Sequence, residues 1–141
     1  AGREIECAVL GNEDPIASIP GEVISHHNFY SYEAKYLDDK ASRTEIPAKL
    51  SPEQTERVQN LAIKTFKTLC CEGLGRVDCF LTADDRLLVN EINTLPGFTE
   101  ISMYPKMWAY SGISYPELID RLIQLSIERF ASESQLKTSY A

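Results

Sequence analysis

The stretch RVDCFLTADDRLLVNEIN, residues 76–93, constrains the fold more than any other part of the sequence. It holds two strand patterns separated by ADDR, and the pair reads as an antiparallel hairpin. A two-residue loop at Asp84-Asp85 pairs Thr82 with Leu87, Phe80 with Val89, Asp78 with Glu91, and Arg76 with Asn93. Those last four polar side chains then share one face at the open end of the hairpin. A loop longer by one residue would break this register. Two carboxylates directly opposite each other are destabilising. Unit charges ~4 Å apart repel by about 4 kcal/mol at an effective dielectric near 20. Either one carboxyl keeps a proton, or a cation sits between them.

The donor types suggest which cation. Asp78, Glu91 and Asn93 offer only oxygen, which suits a hard ion such as Mg²⁺ that shares its shell with waters and substrate phosphates. Arg76 beside them suits a phosphate oxygen through a forked contact. The competing reading is a solvated strand face carrying ordinary surface charges. The hairpin runs straight into Pro96-Gly97, which ends regular structure.

The rest of the chain is consistent with a globular domain. It has 141 residues, 43% of them apolar and 25% charged, enough for one domain with a real core. A net charge of -7 argues against a general nucleic-acid or anionic-membrane surface. No run approaches the roughly 18 apolar residues of a membrane span. The N-terminus reads AGREIECAVLG, without Met or signal peptide, and is expected to be a cut from a longer chain. Cys7, Cys70, Cys71 and Cys79 lack the CxxC spacing of a zinc site and are expected as buried, reduced thiols.

Arg3 to Leu10 alternates, with Ile5, Cys7 and Val9 on one side and Glu4, Glu6 and Ala8 on the other. GNEDP turns the chain, and GEVIS reads as a short strand. Residues 28–50 lack a sustained period and are expected as a long functional loop. Ser51, Pro52 and Gln54 start a helix with a capping box, which buries Val58, Leu61, Ala62, Thr65, Phe66 and Leu69. Gly73 and Gly75 close that region. A helical turn is expected over Pro105 to Ser111. The last helix opens at Ser114 with Glu117 as a second capping box, and should bury Leu118, Ile119, Leu122, Ile123 and Phe130. Residues 131–141 form a polar tail.

At this point a resemblance enters. GRVDCFLT, LLVNEINTLPGFTEISMYPKM, GREIECAVLG and YEAKY resemble, in the same order, the C-terminal domain of the D-alanine–D-alanine ligase family, part of the ATP-grasp superfamily. The likeness spans residues 3–130, and NEINTLPGFT is its most specific segment. It implies an α+β fold with a largely antiparallel sheet and packed helices, forming an ATP- and Mg-binding catalytic domain over residues 1–130. The N-terminal and central domains would lie upstream.

The implied reaction joins two D-alanines for peptidoglycan synthesis, in the cytoplasm. ATP phosphorylates the first D-alanine, and the amine of the second attacks the acyl phosphate. Two Mg²⁺ ions, or Mn²⁺, serve as cofactors. By motif, Asp78 and Glu91 would hold one ion, and Glu91 and Asn93 the other. Arg76 would face the transferred phosphoryl group and the second substrate. The Gly97 N–H would serve as an oxyanion donor, and Ser102 would hold the second carboxylate. Glu4 would bind the ribose, Lys35 a phosphate, and Tyr36 would stand beside the substrate. In this family Phe in place of this Tyr marks use of D-lactate, so Tyr36 favours D-alanine. Read bare, Glu4, Lys35, Tyr36 and Ser102 are ordinary surface or loop residues. The implied partners are ATP, D-alanine, the remaining domains and a second copy in a homodimer, with neither nucleic acid nor membrane. Alternatives are another ATP-grasp carboxylate–amine ligase, or a nucleotide-binding module that has lost catalysis.

Overall fold

The computed structural model describes residues 2–25 and 42–136. Lys35 and Tyr36 lie outside the described residues. The strands are β1 (Gly2–Gly11), β2 (Ile16–Ala17), β3 (Gly21–Ser25), β4 (Ser42–Glu45), β5 (Gly73–Thr82) and β6 (Leu87–Asn93). The helices are α1 (Pro52–Thr68), α2 (Met103–Tyr110) and α3 (Tyr115–Ser134). The strands form one sheet in the order β4-β3-β1-β5-β6, with β2 also paired to β1, and every pairing is antiparallel. β4 falls within the segment expected as a loop; pairing with β3, rather than side-chain alternation, makes it a strand.

Alternation along β1 and β5 gives the sheet two different faces. Ile5, Cys7, Val9, Val77, Cys79 and Leu81 point to one side and pack under Val58, Ala62 and Phe66 of α1. These three recur at four-residue spacing, so they form one stripe along the helix. The expected capping box is present: Ser51 Oγ accepts from Gln54 N at 3.1 Å, and Gln54 Oε1 accepts from Ser51 N at 3.0 Å. Gln54 and Arg57 also hold Asp85 at the hairpin tip, with Arg57 Nη1 2.6 Å from Asp85 Oδ2.

On the other side, Ala8 and Leu10 meet Tyr104, Met107 and Trp108 of α2 and Leu118 of α3. The Tyr104 hydroxyl donates to the Val9 carbonyl at 2.8 Å and fixes α2 to the central strand.

Several expectations need correction. Thr65 and Leu61 are only half-buried on α1, and Leu69, at its C-cap, is exposed. Gly73 and Gly75 do not end a region but open β5, where the small residue admits the Phe66 ring; a Cβ on Gly75 would lie 3.0 Å from it. α2 begins at Met103, two residues before the expected start. Of the residues expected inside α3, only Leu118 is fully buried, with Leu122 packed partly against the core. Ile119, Ile123 and Phe130 are exposed, because α3 carries two apolar stripes and only Leu118, Leu122 and Leu125 face the sheet. Its N-terminus has half a capping box: Ser114 Oγ accepts from Glu117 N, 3.4 Å away. The helix continues through Ser134, into the segment expected as a polar tail.

All four thiols are free, but only Cys7 and Cys79 are buried; Cys70 is exposed and Cys71 half-buried, since both follow the end of α1. Among the described residues no helix is long and apolar enough to cross a membrane.

Candidate active site

Helices α2 and α3 cover the second face at Ala8 and Leu10, and α2 also reaches Gly21 of β3 through Met103 and Met107. From Ala8 toward Gly2, three rows of side chains cross β1, β5 and β6 on that face, set ~6.7 Å apart by the two-residue repeat of a strand. The pairing places Glu4, Phe80 and Leu88 in the first row, Glu6, Asp78 and Glu91 in the second, and Ala8, Arg76 and Asn93 in the third.

The hairpin keeps the expected Asp78–Glu91 and Arg76–Asn93 pairs, but by a different route. Its loop is one residue longer than assumed. Thr82 N donates to Arg86 O at 2.9 Å and Asp85 N to Thr82 O at 3.0 Å, so three residues turn the chain, with Asp85 in the left-handed region at φ 59°. Phe80 therefore opposes Leu88, not Val89, and Thr82 opposes Arg86, not Leu87. A bulge then restores the register. Opposite Asp78 and Cys79 the partner strand runs Glu91 and Val89, leaving Asn90 as the extra residue. Bulges of this kind re-aim side chains beside functional sites.

The acidic row is neutralised in part by protein. Arg76 grips Asp78 with two hydrogen bonds, Nε to Oδ1 and Nη2 to Oδ2, both 2.7 Å. Its Nε also lies 3.2 Å from Glu6 Oε2. Asp78 and Glu6 are buried at 2% and 4% exposure, whereas Glu91 is exposed. Burial works against the Arg76 charge, yet the Asp78 hydrogen bonds, with the fields of Glu6 and Glu91, raise its pKa above the ordinary value. A guanidinium is therefore one cation beside Asp78. Among the described residues, the three carboxylates of this row have the one guanidinium of Arg76 beside them.

The donors fit a hard divalent ion. Asp78 keeps lone pairs after its two bonds to Arg76. Asn93 Oδ1 accepts from Leu95 N at 3.1 Å and keeps a second lone pair. Among the described residues no group of three or more His, Cys, Asp or Glu is arranged to hold a metal alone. A bound ion would draw on Asn93 and on substrate oxygens as well, as Mg²⁺ usually does.

Residues Pro96 to Ser102 form a second feature. Phe98 is packed between Tyr104 and Tyr115, with ring centroids 5.9 and 5.5 Å away, and Tyr115 donates to the Phe98 carbonyl at 2.8 Å. This fixes the loop carrying Gly97. A Cβ on Gly97 would lie 3.0 Å from Ser102 Oγ, so any larger residue would crowd that hydroxyl. Ser102 is the N-cap of α2, but its hydroxyl meets Thr99 Oγ1 at 2.8 Å and accepts from Thr99 N at 3.1 Å, capping no helix N–H. The helix N-terminus behind it favours an anion.

Glu4 is half-buried and sits directly opposite Phe80. Two contributors are not evident from the sequence. Alternation puts Glu6 on the side of Glu4 and Ala8, and only the β1–β5 pairing reveals it beside Asp78. Leu88 joins Phe80 only through the three-residue loop.

Comparisons with known proteins decide the family. Residues 1–124 match the family model described as D-ala D-ala ligase C-terminus. A D-alanine–D-alanine ligase of Oceanobacillus iheyensis is 59% identical over 98% of this chain and 38% of its own length.

The chain belongs to the D-alanine–D-alanine ligase family.

Solved ligases share its shape. The D-alanine–D-alanine ligase of Coxiella burnetii superposes with a TM-score of 0.83 at 47% identity, over 96% of this chain and 34% of the other. That of Bacillus anthracis, complexed with ATP, gives 0.76 at 32% identity, over 94% and 42%. The fold is thus the α+β C-terminal domain of this ATP-grasp ligase family. The chain spans less than half the length of these relatives.

Proposed function

We propose that this chain supplies the ATP- and metal-facing part of an enzyme that joins two D-alanines into D-alanyl-D-alanine for peptidoglycan. The observation that carries this is the order of the three rows. Glu4 with Phe80 and Leu88 suits a nucleoside, having a carboxylate for ribose hydroxyls beside an apolar surface for the base. Asp78 and Glu91 come next, where triphosphate and metal would lie. Arg76 and Asn93 follow, nearest the loop carrying Gly97 and Ser102. The relative complexed with ATP supports the nucleotide.

In this reading Asp78 and Glu91 hold one Mg²⁺ and Glu91 and Asn93 a second; Mn²⁺ would suit the same oxygens. When bound, the ions supply Lewis-acid neutralisation of phosphate charge. Arg76 keeps part of its guanidinium available for the phosphoryl group passing to the first D-alanine. The Gly97 N–H steadies the oxyanion formed when the second amine attacks the acyl phosphate. Ser102, backed by the start of α2, holds the carboxylate of that second D-alanine. Lys35 and Tyr36 complete the set, as phosphate ligand and substrate neighbour. The enzyme would act in the cytoplasm, where ATP is available, as a homodimer.

The test joins this chain behind the preceding part of the Oceanobacillus iheyensis relative and measures ADP and D-alanyl-D-alanine. The chimera should form both, while the 141-residue chain alone should form neither and bind ATP poorly. A folded but silent chimera, or product from the chain alone, sinks the reading.

A further inference from the structure

The strongest feature the proposed reaction leaves unused is Glu6. It is buried on the central strand β1, faces Asp78 across the β1–β5 pairing, and carries Oε2 3.2 Å from Arg76 Nε. Arg76 is itself largely buried, with 12% of its side chain exposed, so its guanidinium has few places to go. Its two short hydrogen bonds, however, both go to Asp78, which in the reading above also holds a metal ion.

A carboxylate that coordinates a divalent cation gives up electron density, and its hydrogen bonds to other partners weaken. A guanidinium held by Asp78 alone would then shift, and the exposed Glu91 on the neighbouring strand is a competing charge. Glu6 offers an anchor that does not depend on the metal. It lies on the opposite side of Asp78 from Glu91, because β5 runs between β1 and β6.

We propose that Glu6 is a positioning residue, whose carboxylate holds the Arg76 guanidinium in place while Asp78 binds the divalent cation. This rests on the metal reading above. Glu6 touches neither substrate nor metal in this account; it acts through Arg76. A glutamine would keep the shape and an acceptor oxygen but lose the charge, so Glu6 would no longer be a charged anchor for the guanidinium.

The experiment uses the chimera described above and its E6Q and E6D variants. Turnover should fall about tenfold to a hundredfold in E6Q, the scale of a slight misplacement of a reacting group, while KM for ATP changes by less than about twofold. E6D keeps the charge and should recover most of the turnover.

Nuclear magnetic resonance supplies the second readout, the Arg76 Nε–Hε signal as Mg²⁺ is added. In the unvaried chimera and in E6D that signal should stay sharp and move only slightly, as its hydrogen bond to Asp78 weakens. In E6Q it should move much further or broaden as metal binds. If E6Q does not fold, E6D alone decides: a retained Arg76 signal with most turnover supports the role, and a signal displaced further than in the unvaried chimera overturns it. Turnover of E6Q within about twofold of the unvaried chimera, with a signal no further displaced, also overturns it. So does an equal loss of thermal stability and turnover in both variants with that signal no further displaced, which would make Glu6 a purely structural residue. Failure of the metal reading looks different: the backbone signals of Asp78 and Glu91 would then ignore Mg²⁺ even in the unvaried chimera.

Discussion

The two faces of β5 share one backbone and one set of hydrogen bonds, yet do opposite work. Val77, Cys79 and Leu81 face α1 in a dry apolar layer, while Arg76, Asp78 and Phe80 face the rows that carry charge. The first face stabilises, since each buried aliphatic side chain is worth roughly 1.5–3 kcal/mol. The second holds Asp78 at low exposure against the buried Glu6 of β1, where desolvation offsets much of what their pairing with Arg76 returns. A strand built only to fold would place apolar residues on both sides or water on one. Charges held dry beside a guanidinium indicate a task other than folding.

The comparison can be broken from either side. The largest effect should come from the charged face: Glu91→Gln in the chimera should lower phosphoryl transfer by about a thousandfold or more, seen as phosphate release at saturating Mg²⁺. Melting without metal should stay level or rise, because a like charge beside Asp78 is gone. Near-normal phosphate release would reject the role.

On the apolar face, Phe66→Ala should reverse the pattern. It should cost about 3–5 kcal/mol in urea unfolding, with turnover per folded molecule unchanged. Tyr36→Phe should have a smaller effect, raising depsipeptide over dipeptide when D-lactate and D-alanine compete near neutral pH. An unchanged product ratio would remove Tyr36 from the second-substrate site.

The smallest effect concerns thiols. Burial pushes Cys7 and Cys79 up to about 12 from 9.0. A raised thiol pKa means that the unfolded chain releases its proton first. The stability they confer is therefore full below pH 9 and lost as pH rises toward 12. At pH 8 a thiol reagent should label exposed Cys70 quickly and leave Cys7 and Cys79 untouched until unfolding.

The same contrast explains what the sequence could tell. The α1 face was legible because alternation in β1 and β5 and four-residue spacing in the helix point to one layer. The Asp78–Glu91 pair was also legible, although its supporting argument was not. A three-residue loop and the Asn90 bulge cancel each other, and nothing local in ADDR or LLVNE announces that. Glu6 was hidden because alternation gives a side without saying which strand lies next to it; only the long-range pairing of β1 with β5 does. The buried stripe of α3 is not legible, because Ile119 and Ile123 are as apolar as Leu118 and Leu122, and periodicity alone cannot choose between two stripes. Ser102 looked like a loop residue because α2 starts two residues earlier than Pro105 suggests.

The central claim is that the charged face, and not acidity at large, binds the divalent ion. The measurement that tests it most directly is a Mg²⁺ titration followed at the side-chain carboxyl carbons of the isotope-labelled chain. Mg²⁺ should shift Asp78 and Glu91, together with the Asn93 side-chain amide, and leave the exposed Glu53 and Glu56 of α1 unmoved. No shift at Asp78 and Glu91, or shifts just as large at Glu53 and Glu56, would contradict the account.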